Sequence, residues 1–84
     1  MSGFAGSRPA ERLDLRGLDP PEPMRRALEA VEARSPGEAV EIVTDRDPML
    51  LYRELDRRGH TYVRTSRPDG FYTLIRCRKE GEAP

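Results

Sequence analysis

At 84 residues the chain holds one domain at most, and a domain that short buries only about 60–65% of its unfolded surface, so its core is thin. Lysine plus arginine and aspartate plus glutamate both number 15, which leaves no global field to draw the protein to nucleic acid or anionic lipid; such attraction would need a local patch. No apolar run approaches the roughly 18 residues of a membrane span, no signal-peptide pattern opens the chain, and the one cysteine, Cys77, excludes an internal disulfide and suits a reducing cytoplasm.

The elements follow in order. Residues 1–10 read as a loose tail and 80–84 as another, with the domain between them over 11–79. Leu13 and Leu15 alternate with Arg12, Asp14 and Arg16, the period of a half-buried strand. After Gly17 and a stretch holding Pro20, Pro21 and Pro23, Met24, Ala27, Leu28 and Val31 form the stripe of an amphipathic helix near 21–34. "SPGE" at 35–38 stops it. Val40 and Ile42 alternate with Glu41 and Val43 in a second strand. "TDRDP" at 44–48 offers a capping residue followed by proline at a first helical position. A second helix, near 48–58, is expected to bury Leu51 and Leu55 with help from Met49 and Tyr52, and Gly59 suits a left-handed C-terminal residue. "HTYVRTS", "RPDG" and "FYTLIRCR" then read as strand, turn and strand. The order β-α-β-α-β-β predicts an α/β two-layer sandwich: a four-stranded mixed sheet with two helices on one face and the other face open.

The proline-rich segment has a purely structural explanation. Asp19 is a preferred N-cap type, Pro20, Pro21 and Pro23 bring no N–H to leave unsatisfied, and Glu22 complements the helix dipole.

"LDLRGLDPPEPM" at 13–24 also resembles the signature of the TusA/SirA-like sulfur-carrier superfamily, a strand followed by Leu-Asp-x-x-Gly-Leu-x-Cys-Pro-x-Pro. Leu13, Asp14, Gly17, Leu18, Pro21 and Pro23 match it; "PGE" at 36–38 and "LIR" at 74–76 are similar to later landmarks of the family. The resemblance spans roughly residues 12–79 and implies the same element order, a fold similar also to the C-terminal domain of translation initiation factor three. In the family the cysteine before Pro-x-Pro carries a persulfide to a partner protein. Pro20 occupies that position here and has no thiol. The chain thus resembles the branch of the superfamily, a domain of unknown function, that lacks the cysteine. The resemblance implies a bacterial-type module that binds a protein or small ligand, without catalysis and without a cofactor.

Four sets of residues could carry a function. The segments after the first two strands should meet at the carboxyl edge of the sheet, where open α/β folds bind ligands. That edge would gather Arg16, Asp19, Glu22, Asp45, Arg46 and Asp47. Arg16, Arg46 and two helix starts could receive an anion or a partner carboxylate. Asp19, Asp45 and Asp47 could hold a hard cation, and the plainest account makes Asp19 and either Asp45 or Asp47 helix caps with Arg16 and Arg46 as their solvated counter-ions. A second set is the open sheet face, where Arg12, Arg16, Arg64, Arg76 and Arg78 are expected between Tyr62, Tyr72 and Leu74. That pattern could stack RNA bases, although Asp14 and Glu41 share the face. Third, Cys77 could serve as a sulfur carrier or sulfurtransferase, but its alternation with Phe71, Thr73 and Ile75 points it at the core. Fourth, His60, the one histidine, follows Gly59 at a helix end and has no second ligand type nearby. The expectation is a cytoplasmic, non-enzymatic protein with no metal, whose partner is another protein, with RNA as the alternative and no membrane.

Overall fold

The computed structural model describes residues 11–77. Both expected tails, and Arg78 with them, lie outside the described residues. The elements are β1 (Glu11–Asp14), α1 (Glu22–Glu32), β2 (Ala39–Thr44), α2 (Met49–Arg58), β3 (Thr61–Arg67) and β4 (Gly70–Arg76). They form a four-stranded sheet in the order β1-β2-β4-β3. β1 runs parallel to β2 with Leu13 opposite Ile42, and β4 runs antiparallel to both β2 and β3. The hairpin returns β4 into the gap beside β2, so β3 becomes an edge strand although it follows α2.

Side-chain alternation sends one set of residues toward the helices. Leu15, Val40, Ile42, Ile75 and Cys77 from the sheet side meet Ala27 and Val31 of α1 and Leu51 and Leu55 of α2 in one buried cluster. Met24 and Leu28 pack against it from α1, completing the expected stripe. α2 departs from expectation at Met49. Leu51, Tyr52 and Leu55 are buried, but Met49 is 56% exposed and Leu50 64% exposed. Three consecutive apolar residues cannot all face one side of a helix with about 3.6 residues per turn, and Leu51 takes the core position.

The helix ends also differ in detail. α1 has Pro21 at its N-cap and no side-chain cap; the first-turn bond is backbone to backbone, from the Glu22 N–H to the Asp19 carbonyl at 2.9 Å. Pro48 is the N-cap of α2, one residue before the position expected for it, again without a side-chain cap. At the far end Gly59 adopts φ +83°. Its N–H bonds the Asp56 carbonyl, and that of His60 bonds the Leu55 carbonyl, which is the Schellman arrangement.

Candidate functional site: a cleft at the carboxyl edge of the parallel strands

Because β1 and β2 are adjacent and parallel, the chain leaves both at the same edge of the sheet and enters α1 and α2 from there. Between the two helix starts lies a cleft of about 630 Å3. Its lining is mostly apolar: Leu15, Leu18, the three prolines of 20–23, Met24, Pro48 and residues 49–51. Asp19, Asp45, Arg46 and Asp47 stand on it as well. The Pro20–Pro21 peptide bond is cis.

Local bonding fixes the walls. The Asp45 carboxylate accepts the Gly17 N–H at 2.5 Å, tying the loop after β1 to the loop after β2. The buried Thr44 hydroxyl donates to the Arg46 carbonyl at 2.8 Å and shapes the turn out of β2. The Tyr52 hydroxyl donates to Asp47 at 2.7 Å, anchoring the entry to α2 from one turn inside the helix. Burial, and after it the Asp47 carboxylate, push the Tyr52 phenol above its ordinary pKa. None of the three aspartates caps a helix. Asp19, expected to do so, offers only its carbonyl, while Asp45 and Asp47 use their carboxylates to clamp loop to loop and loop to helix.

The expected residues therefore part company. Asp19, Asp45, Arg46 and Asp47 come together at the cleft, but Arg16 and Glu22 do not line it. The Arg16 guanidinium turns to the open sheet face, where it grips both oxygens of Asp14 at 2.8 and 2.7 Å and reaches Asp69 at 3.4 Å. The Arg16 hydrogen bonds hold the Asp14 carboxyl down at about 2. Glu22 is taken by Arg25 and Arg26 on the outer side of α1 and is likewise held at about 2, with Arg25 the larger cause. Arg46 alone among the expected cations remains at the cleft, exposed and in no ion pair among the described residues. Pro21 and Pro23 also bring no N–H to the start of α1, and that of Glu22 is taken by the Asp19 carbonyl, which leaves few donors there for an anion. Among the described residues no group of three or more His, Cys, Asp or Glu side chains could hold a metal ion, the three aspartates included.

The open face differs from expectation in two places. Pairing of Arg67 with Gly70 sets Tyr62 opposite Ile75 and Arg64 opposite Thr73, so both face the helices. Tyr62 stacks on Tyr52 with ring centroids 5.1 Å apart, and the Arg64 guanidinium lies 4.8 Å above the same Tyr52 ring. Arg12, Tyr72 and Arg76 do lie on the open face, but they are engaged. Arg12 pairs with Glu41 at 2.8 Å, and Arg76 donates to the Gly37 carbonyl. Tyr72 is only 8% exposed, flanked by the Arg12 and Arg67 guanidiniums, with its hydroxyl donating to Asp69. Its ring offers no free plane for a base.

Cys77 is 4% exposed and donates a weak bond to the Val31 carbonyl at 3.5 Å. Burial pushes its thiol pKa up. It closes β4 beside Glu38 and Gly37, at the end of the sheet away from the cleft.

Sequence reasoning missed the apolar character of the site. The signal was present in "MLL" at 49–51, where a one-faced helix must leave apolar side chains outside.

Fold and cleft together define a two-layer α/β module with an apolar, carboxylate-rimmed edge cleft and no thiol in it. The chain belongs to the DUF2249 family, described as an uncharacterized conserved protein, whose model matches residues 12–78. No curated protein matches the chain. Among the described residues no helix is long and apolar enough to cross a membrane.

Proposed function

We propose that the protein is a non-catalytic binding module of the TusA-like kind, which receives a partner in the cleft between the starts of α1 and α2. The observation that carries this is the pairing of an open, apolar cleft with Met49 and Leu50 exposed at its mouth. Exposed apolar surface of that kind lowers its free energy by being covered. The sequence supports the kinship through Leu13, Asp14, Gly17, Leu18, Pro21 and Pro23, which place Pro20 where a sulfur carrier has its cysteine. The docking surface is then retained and the transferable sulfur is not. A cytoplasmic setting fits the lone, buried Cys77.

The test compares tagged wild-type protein with Leu50→Gln in quantitative pull-down, after far-UV circular dichroism has shown both folded. Gln keeps helix propensity while removing apolar surface. Partners retained by the wild type should be lost from Leu50→Gln. Partners indifferent to Leu50→Gln but lost from Arg12→Ala with Arg76→Ala, and released by ribonuclease, would move the binding surface to the open sheet face.

A further inference from the structure

The charges around the cleft narrow the chemistry of its occupant, given the reading of that cleft as a partner site. Three exposed carboxylates line it, Asp19, Asp45 and Asp47, against one guanidinium, Arg46. The neighbouring cations are committed elsewhere: Arg16 to Asp14 and Asp69, Arg25 and Arg26 to Glu22. Asp19 has no side-chain partner among the described residues. Asp45 and Asp47 each accept one bond from within the molecule. A carboxylate has about four acceptor positions, so most of theirs stay open. The apolar wall of the cleft is itself open to solvent: Met49 and Leu50, which line it, are 56% and 64% exposed.

We propose that the occupant is a segment of a partner protein that seats an apolar side chain in the cleft and sets a lysine or arginine beside it against Asp19, Asp45 and Asp47. An acidic or phosphorylated segment would bring like charge against three carboxylates with only Arg46 to offset them, and such juxtaposition selects against a partner. A second copy of this chain is disfavoured for the same reason, since a two-fold contact would face one acidic rim with another. Met49 and Leu50 line the cleft with more than half of their surface exposed, an apolar wall that the side chain of a peptide crossing the mouth would cover.

A display library of random peptides, panned in parallel on the immobilised full chain and on its Leu50→Gln variant, tests this. The wild type should enrich peptides that carry an apolar residue within a few positions of Lys or Arg and are poor in Asp and Glu. Leu50→Gln should abolish the enrichment. A representative peptide should lose about tenfold or more in affinity on Asp19→Asn with Asp47→Asn, and none on Arg46→Ala. Asn can still accept the Tyr52 hydroxyl, so the double variant changes charge while keeping that clamp. Enriched peptides rich in Asp or Glu, lost on both Leu50→Gln and Arg46→Ala, would overturn the charge assignment and leave the cleft reading standing. Peptides indifferent to Leu50→Gln, or no enrichment, would overturn both. A dimer seen by light scattering and dissolved by Leu50→Gln would make a second copy the occupant, and overturn the proposal.

Discussion

Gly70 opens β4 with φ +151°, and a Cβ built on it would stand 2.9 Å from the Thr44 carbonyl oxygen and 3.4 Å from both Arg16 Cδ and Val43 Cγ1. The first neighbour is backbone of β2, an inner strand of the sheet, and cannot step aside. Gly70→Ala should therefore destabilise the fold by about 1–3 kcal/mol, read as a lowered urea midpoint with an unchanged slope. A loss within about 0.5 kcal/mol, typical of a surface position, would refute the close approach. Cys77 is the other residue whose surroundings decide its behaviour. Thiolate formation is opposed by burial, so thiol reagents should label the native protein far more slowly than the denatured one. After incubation with a cysteine desulfurase and cysteine, intact mass should show no added sulfur; a stoichiometric adduct on Cys77 would contradict its buried position. This orientation was legible from the alternation of Phe71, Thr73, Ile75 and Cys77. Arg16 was legible in part: its alternation with Arg12 and Asp14 sets it on the open face beside Asp14, while only the fold shows that Asp69 meets it there rather than leaving it at the cleft.

At the scale of elements, the strands and helices could be read almost in full, since each announces itself by its apolar period. The helix starts could not. Asp19, Asp45 and Asp47 are the residue types that cap helices, yet here Pro21 and Pro48 hold the cap positions; the Asp45 and Asp47 carboxylates clamp loops and that of Asp19 makes no bond among the described residues. This distinction separates three variants. Asp19→Ala should cost less than about 0.5 kcal/mol of stability, as an exposed side chain without a bond. Asp45→Ala should cost about 1–2 kcal/mol, since it removes the Gly17 bond that joins the two edge loops. Asp47→Ala should fall near 1 kcal/mol through the Tyr52 hydroxyl. Chemical denaturation of the three side by side checks the order; Asp19→Ala as the most damaging would restore it as a cap. The facing of Arg64 and Tyr62 was recoverable in principle. A two-residue turn at Pro68–Asp69 pairs Arg67 with Gly70, and counting back three residues on one strand and forward three on the other sets Arg64 beside the inward Thr73.

Among the described residues several ion pairs bind element to element, and others brace single helices. Arg58 joins α2 to α1 through Glu32 at 2.7 Å while also holding Glu54. Arg34 ties the chain after α1 to β1 through Glu11 at 3.3 Å, and Arg12 joins β1 to β2 through Glu41. Three of the carboxylates are held at about 2: Asp14 by Arg16, Glu22 by Arg25 and Arg26, and Glu54 by Arg57 and Arg58. The unfolded chain takes up protons on these groups at the ordinary values of 3.8 and 4.5, before the folded protein does. As the pH drops through that range the unfolded state therefore binds more protons, and stability must fall with it. The contribution is fully present above about pH 5 and is lost progressively down to about pH 2. Asp14 is exposed and Glu22 and Glu54 are partly so, so the loss should be gradual, and added salt should shrink it by screening the pairs. Urea midpoints measured from pH 7 to pH 2, at low and high salt, should stay level to about pH 5 and then decline, with the shallower decline at high salt. Midpoints that rise between pH 5 and pH 3 would show that the carboxylates repel one another in the folded state more than the arginines hold them.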